Sequence, residues 1–360
     1  MSEYNKIYDS DGNILYNEQD ISELDDRVTA LEDGSAEPTL PSYMVTEANT
    51  VLSNLVAKCE DKAYLFTVIT DSHNDRNEVA PIAWSDAVSA MKWLNVKYKT
   101  DAVIHLGDVL EGVVNAEQMK NDLMKPVSDL LGISPKVFYC RGNHESDFAY
   151  DDPAHYELIS TDELYAIEFR QNEEYVVRPS NKLYYYVDYG EDLRCVFLDS
   201  YMIGYAEGQT TSDLRENPDR ARYGYDSEQI TWFSTVALDT NRQVAVFSHM
   251  PASTANMPSN SWWTEENSQS FDSIKAVAKA FITGGGVIVG WFYGHIHDKK
   301  KTTLSAAGFT EIGLRNSFYV TESTGGVHNI PNFSIVAIKP DKRRVDVISF
   351  GQDADDYFTY

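Results

Sequence analysis

Residues 286–300 read GVIVGWFYGHIHDKK: an apolar run that stops at Gly294 and is followed by two histidines two apart, His295 and His297. A short run of β-branched and aromatic residues is the form taken by a strand buried on both faces. On extended backbone, side chains at i and i+2 project to the same side, so the two imidazoles can reach into one small volume. By itself the tripeptide fits a pair of surface histidines in a turn equally well. The rest of the chain decides between the two.

From about residue 46 onward the same grammar recurs. AYLFTVIT (63–70) runs into DSHND, DAVIHLG (101–107) into DVLEG, and KVFYCRG (136–142) into NHES. RCVFL (194–198) runs into DSY, and QVAVFS (243–248) into HMP. Helical patterns lie between several of these runs. Ser85 can cap a helix with Ala87, Val88, Met91 and Leu94 on one face. AEQMKNDLMKPVSDLL (116–131) is helical in period, with Pro126 predicting a kink or a division in two. SEQITWFSTVAL (227–238) and DSIKAVAKAFI (272–282) continue the alternation. Strand and helix in repetition predict an α/β layered domain over residues 46–360. Ligands of open α/β sheets gather at the carboxyl ends of strands, which is where the polar clusters fall.

The metal-capable side chains at those strand ends are Asp71, His73, Asp108, Asn143, His144, His249, His295 and His297, and they include five of the eight histidines. Imidazole, carboxylate and one amide oxygen suit Zn, Fe or Mn better than Ca or Mg, which prefer all-oxygen shells. Eight groups exceed the needs of one ion. Two divalent or trivalent ions about 3.5–4 Å apart, bridged by a carboxylate, would use them. With four other strand ends agreeing, His295 and His297 read as ligands, each serving a different ion of one pair, and Gly294 as the residue that permits a tight turn before them.

The ordered set D-x-H (Asp71, His73), G-D-x-x-E (Gly107 to Glu111), G-N-H-E (Gly142 to Glu145), a lone His249 and G-H-x-H (Gly294 to His297) resembles the calcineurin-like metallophosphoesterases, from residue 64 to about 300. The resemblance implies a four-layer α/β/β/α sandwich with a dinuclear metal site at the C-terminal ends of strands. It implies that Asp71, His73 and His297 hold the first metal, that Asp108 bridges, and that Asn143, His249 and His295 hold the second. His144 is then no ligand but assists the leaving group while a metal-bridging hydroxide attacks in line. Glu111 stands where the family often has an aspartate that orients this histidine, and its side chain is one methylene longer. Arg141 resembles the arginine before G-N-H-E in the protein phosphatases, but Gly112 stands where their second motif is followed by another arginine. A phosphodiester is therefore slightly preferred as substrate over the substrates of that subgroup. Two divalent ions against Asp71, Asp108 and a hydroxide leave a formal surplus of about one positive charge, which attracts a phosphate ester. A histidine side chain is suited to serve as a general acid, the role this reading gives His144. Amidohydrolases carry H-x-H on their first strand, and metallo-β-lactamase-like enzymes follow it with D-H; here it comes last and precedes DKK.

The net charge of −26 excludes an extended nucleic-acid surface and disfavours anionic membrane. No apolar stretch approaches the roughly 20 residues needed to span a bilayer. Cys59, Cys140 and Cys195 lack metal-type spacing, and the latter two fall in apolar runs as buried thiols. MSEYNKIYDSDGN has neither a basic start nor an apolar core, so the expected location is cytoplasmic, or associated with a virion or prophage.

Residues 1–45 differ from the rest. Ile21, Leu24, Val28 and Leu31 have heptad spacing, Asp20 and Glu23 can form a cap, and Pro38 and Pro41 mark a linker. This segment reads either as a short helix docked on its own domain or as an oligomerisation stem through residues 20–33. The stem reading weakly resembles phage tail-associated proteins, and its functional alternative is a displayed module that binds or trims a phosphate-containing polymer. TGGGVIVG reads as a helix-to-strand turn, His105 as a satisfied core residue and Asp199 as structural. The segments 146–185 and 201–225 are expected to shape the rim of the pocket, and Trp262 and Trp263 to pack between layers or, as the alternative, to line a cleft; His155 and His328 stand outside any motif, with a place at the pocket edge the lesser reading of His328.

Overall fold

The structure is a computed structural model, and it describes residues 38–59, 62–75, 79–112, 114, 116–145, 159–180, 182–201, 224–253, 265–317 and 330–360. The heptad segment 20–33, His155, Trp262, Trp263 and His328 lie outside the described residues, as do 146–158 and 202–223. The strands are β1 (Tyr64–Ile69), β2 (Ala102–His105), β3 (Val137–Tyr139), β4 (Tyr185–Tyr189), β5 (Leu193–Leu198) and β6 (Gln243–Ser248). They continue as β7 (Ile288–Tyr293), β8 (Lys300–Leu304), β9 (Phe309–Gly313), β10 (Phe333–Lys339), β11 (Arg344–Phe350) and β12 (Asp356–Thr359).

These strands form two six-stranded sheets, ordered β12-β11-β10-β1-β2-β3 and β4-β5-β6-β7-β9-β8. In the first, β1, β2 and β3 are parallel and β10 joins β1 antiparallel. In the second, β5, β6, β7 and β9 are parallel, with β4 and β8 antiparallel on the edges. The sheets pack face to face, and alternation along the strands explains why. In β5, Cys195 and Phe197 join the core between the sheets, while Val196 and Leu198 join a second core with Trp232, Phe233, Phe271 and Ile274 of the helical segments 227–237 and 265–283. A strand with apolar residues at every position serves two layers at once. On the far side, the helices Val45–Lys58, Ala80–Lys97 and Ala116–Leu131 contribute Val51, Leu55, Trp84, Met91, Met119 and Leu123 to the core of the first sheet. Two sheets flanked by helices result, the layered architecture expected from the sequence.

Between the sheets Tyr185, Phe197, Phe247 and Phe292 stack in succession across β4 to β7, with ring centroids 4.7, 5.1 and 5.0 Å apart. Such pairs add about 0.5–1.5 kcal/mol each beyond the area they bury. They key the strand order by side-chain shape.

Several local expectations change. The helix predicted to begin at Ser85 begins at Ala80, with Pro81 in its first turn, and runs to Lys97. Ser85 is inside it, its carbonyl accepting the Ser89 hydroxyl at 2.8 Å. The helix Ala116–Leu131 is one element through Pro126, whose ring is buried. Within 146–185, residues 161–175 are helical, opened by a capping box in which Ser160 and Glu163 each bond the other's backbone N–H. Leu164, Ile167 and Phe169 from that stretch pack into the core rather than on a rim. Leu40 and Met44, before residue 46, also pack against the core. The three cysteines are free and buried. Among the described residues no helix is long and apolar enough to cross a membrane.

Candidate metal centre

The loops that leave β1 and β2 run side by side. The N–H of Asp71 donates to the Gly107 carbonyl (3.0 Å), that of His73 to Asp108 (3.1 Å) and that of Asn74 to Val109 (3.0 Å). From the second sheet, the N–H of Gly294 donates to the His249 carbonyl at 3.0 Å. The N–H of His295 meets both carboxylate oxygens of Asp71 at 3.0 and 2.9 Å. These bonds join the two sheets at one edge of the sandwich, at the carboxyl ends of β1, β2, β3, β6 and β7.

Side-chain donor atoms converge there in two groups. Around the first, His73 Nε2 is 3.1 Å from His297 Nε2, and His297 Nε2 is 3.2 Å from Asp71 Oδ1. Around the second, Asn143 Oδ1 is 2.9 Å from both His249 Nε2 and His295 Nδ1, which are 3.3 Å apart. Asp108 Oδ2 stands between the groups, 3.1 Å from His249 Nε2 and 3.8 Å from His73 Nε2.

The chemistry of this donor set fits a metal ion in each group. His249 Nδ1 lies 2.8 Å from the Leu106 carbonyl, which can only accept, so this nitrogen carries the proton and Nε2 turns a lone pair inward. That lone pair faces Asn143 Oδ1 and an Asp108 carboxylate oxygen, both acceptors, an arrangement that a shared cation or proton resolves. Ligands about 2.0–2.2 Å from one ion lie roughly 3.0–3.5 Å from each other, as these atoms do.

The backbone is strained where the ligands sit. Among the described residues six non-glycine residues have positive φ, and five are Asp71 (49°), His73 (41°), Asp108 (56°), His295 (63°) and His297 (57°). Such conformations cost of order 1–3 kcal/mol each and persist where surrounding structure imposes them. Gly294, by contrast, is not in a left-handed turn: a Cβ there would run into Thr70 Oγ1 and the Asp71 carboxylate. The glycine is required by close approach of two strand ends, not by the turn expected from sequence.

A family model for calcineurin-like phosphoesterases matches residues 64–299. The chain belongs to this family. None of the curated proteins matches the sequence. Among solved structures, a dimetal phosphatase from Danio rerio aligns over 83% of this chain and 100% of its own with TM-score 0.60 and 15% identity, a likeness of fold. PhoD aligns over 83% of this chain and 69% of its own, with TM-score 0.49 and 14% identity.

The phosphoesterase thus contains every residue singled out at the strand ends, and they fall in three positions. Asp71, His73, Asp108, Asn143, His249, His295 and His297 line the two donor groups. His144 stands beside them, its Nε2 3.9 Å from Asp108 Oδ2 and its Nδ1 2.6 Å from the Glu111 carbonyl. Arg141 turns away: its Nε and Nη2 donate to the two oxygens of Asp199 at 3.0 and 2.6 Å, and Nη2 also to the Tyr201 carbonyl at 2.9 Å. The side chains of His297 and His144 are 35% and 14% exposed, against 1% for His73, Asp108 and His249. His297 and His144 are thus more exposed than His73, Asp108 and His249.

Burial would raise Asp108, but His249 and His144 outweigh it and hold the carboxyl well below its usual range. Burial would lower His249, but the Asp108 carboxylate outweighs it and raises the ring to about 9. Burial and the adjacent His249 push His295 down to about 3. A cation bound beside these two groups would take the place of a proton there. His105, as expected, is a core residue, its Nε2 2.8 Å from Ser72 Oγ and its Nδ1 accepting the Gly107 N–H at 3.1 Å.

One residue of the motifs has a part that sequence reasoning did not assign. Glu145, fully buried, accepts the N–H groups of Asp108 at 3.0 Å, Gly142 at 2.6 Å and Val109. It ties the turn after β2 to the turn after β3. The signal was its fixed place in G-N-H-E; its partners are backbone groups, which sequence does not reveal.

Proposed function

We propose that this metal-dependent phosphoester hydrolase acts on a phosphodiester through a dinuclear centre. Asp71, His73 and His297 hold one ion, Asn143, His249 and His295 the other, and Asp108 bridges them. The observation that carries the reading is the position of Asp108 Oδ2, within 4 Å of a ligand nitrogen from each group, His249 Nε2 at 3.1 Å and His73 Nε2 at 3.8 Å. Imidazole, carboxylate and amide ligands suit Mn, Fe or Zn. Bound ions supply polarisation of the phosphoryl oxygens and a water made nucleophilic at neutral pH.

The protein's own groups do the rest. His144 donates from Nδ1 to the Glu111 carbonyl, which fixes the ring and leaves Nε2 on the side of Asp108, 3.9 Å from its Oδ2. From there Nε2 delivers a proton to the departing oxygen. The diester preference is supported by the surroundings of Arg141. Arg141 is engaged with Asp199, and Gly112 offers no side chain, so neither position clamps the second negative charge of a monoester.

The test is turnover of bis(p-nitrophenyl) phosphate against p-nitrophenyl phosphate by Mn²⁺-reconstituted protein, with Asp108→Asn as control. Faster diester turnover, lost in the control, is expected. Faster monoester turnover would overturn the diester preference, and turnover surviving Asp108→Asn would overturn the bridging role.

A further inference from the structure

We infer that the Glu111 carboxylate is a positioning group for the metal centre that acts through His73, and not through His144. The inference rests on the metal-centre reading above and concerns how one ligand is held.

Glu111 touches two histidines with two different parts. Its backbone carbonyl lies 2.6 Å from His144 Nδ1. Its carboxylate Oε2 lies 2.7 Å from His73 Nδ1, a close ion-pair contact outside hydrogen-bond geometry, and the two side chains are 7% and 1% exposed. His73 Nε2 points the other way, into the first donor group, 3.1 Å from His297 Nε2. A buried carboxylate beside Nδ1 favours the tautomer with the proton on that nitrogen, which turns the Nε2 lone pair toward the ion and makes it a stronger donor. The backbone of Glu111 is itself anchored, its N–H donating to Asp75 Oδ1.

This division of labour accounts for the glutamate. A backbone carbonyl already orients His144, so the side chain is released from the task that an aspartate performs where the family has one. The extra methylene carries the carboxylate to His73. It also places a further carboxyl beside the first donor group, which would favour a bound cation without occupying a coordination position.

The experiment measures Mn²⁺ affinity by competition with a chromogenic chelator in wild type, Glu111→Ala, Glu111→Gln and Glu111→Asp, with ¹⁵N-histidine NMR to read the His73 tautomer. Glu111→Ala and Glu111→Asp are expected to bind Mn²⁺ about 10–100-fold more weakly, and Glu111→Gln, which keeps an oxygen beside Nδ1, to recover part of the loss. The His73 Nδ1–H signature should be lost in Glu111→Ala. The pH–rate profile at saturating Mn²⁺ should keep its wild-type shape, since the His144 contact is to backbone. Unchanged affinity with a shifted pH profile would overturn the inference in favour of action on His144. Unchanged affinity with only a lowered Tm would overturn it in favour of a packing role. Wild type that binds no Mn²⁺ would instead overturn the metal-centre reading itself.

Discussion

Asp108 Oδ2 faces His249 Nε2 at 3.1 Å, while the other oxygen of the same carboxylate accepts the His144 backbone N–H at 2.9 Å. One side chain therefore links the end of β2 to the ends of β3 and β6, one strand end in each sheet pairing with another. Its geometry is set by both sheets together. The metal centre and the packing of the sandwich should accordingly fail together or hold together.

His249 supplies a nitrogen to the second donor group and its ring is fixed by the Leu106 carbonyl. His249→Ala should lose one of the paired ions, read by metal analysis of the dialysed protein, and lower turnover by at least about 100-fold. Retention of both ions would remove His249 from the ligand set.

His144 should behave differently. His144→Ala is expected to keep its full metal content and to lose about 10²–10⁴-fold in turnover of an alkyl phosphodiester. The loss should be smaller for a p-nitrophenyl ester, whose leaving group needs no proton. Equal losses on both substrates would argue against a general acid at this position.

Gly294→Ala introduces a methyl group against Thr70 Oγ1 and the Asp71 carboxylate. The clash should displace Asp71, cost about 1–3 kcal/mol in urea unfolding and weaken metal binding. Wild-type metal affinity in this variant would show that Asp71 has room to move.

The Arg141–Asp199 pair is almost wholly buried, with side chains 5% and 0% exposed. Arg141→Ala leaves the carboxylate without its cation and should cost about 3–5 kcal/mol in chemical denaturation. The double replacement Arg141→Met with Asp199→Leu should recover much of that loss, because no unpaired buried charge remains. Equal stability of Arg141→Ala and wild type would contradict this.

Acid stability has a defined contributor in Asp346. Burial would raise its carboxyl, but hydrogen bonds from Arg344 and Lys339 outweigh it and hold the group below the usual value. A carboxyl depressed in the folded state contributes stability above its unfolded value, near 3.9, and loses it as pH falls through the folded value. Unfolding free energy should therefore decline below about pH 4, and Asp346→Asn should flatten part of that decline. An unchanged slope in the variant would assign the acid sensitivity to other groups.

Strand ends were legible in the sequence wherever a fully apolar run met a polar cluster, because a strand between two layers must be apolar at every position. The reading passed over β4 (YYVDY), β8 (KKTTL) and β12 (DYFT), edge strands whose burial alternates or is slight, and also β9 (FTEIG), β10 (FSIVAIK) and β11 (RVDVISF), buried strands that carry polar or charged residues within the run. The helix start at Ala80 was missed because Ser85 is a strong capping residue, and only tertiary packing carries the helix back past it.

The sequence by itself picked out the side chains that the structure brings together at the strand ends. Spacing within D-x-H, G-N-H-E and G-H-x-H is a local property, and the strand-ending pattern supplies a shared edge. Which partner each group faces was decided by the tertiary structure alone. Glu111 reaches His73 while its carbonyl holds His144, Arg141 turns to Asp199, and Gly294 is needed for Asp71 rather than for a turn. Each of these contacts joins residues from different strands, and their distances depend on how two sheets pack, which no local pattern encodes.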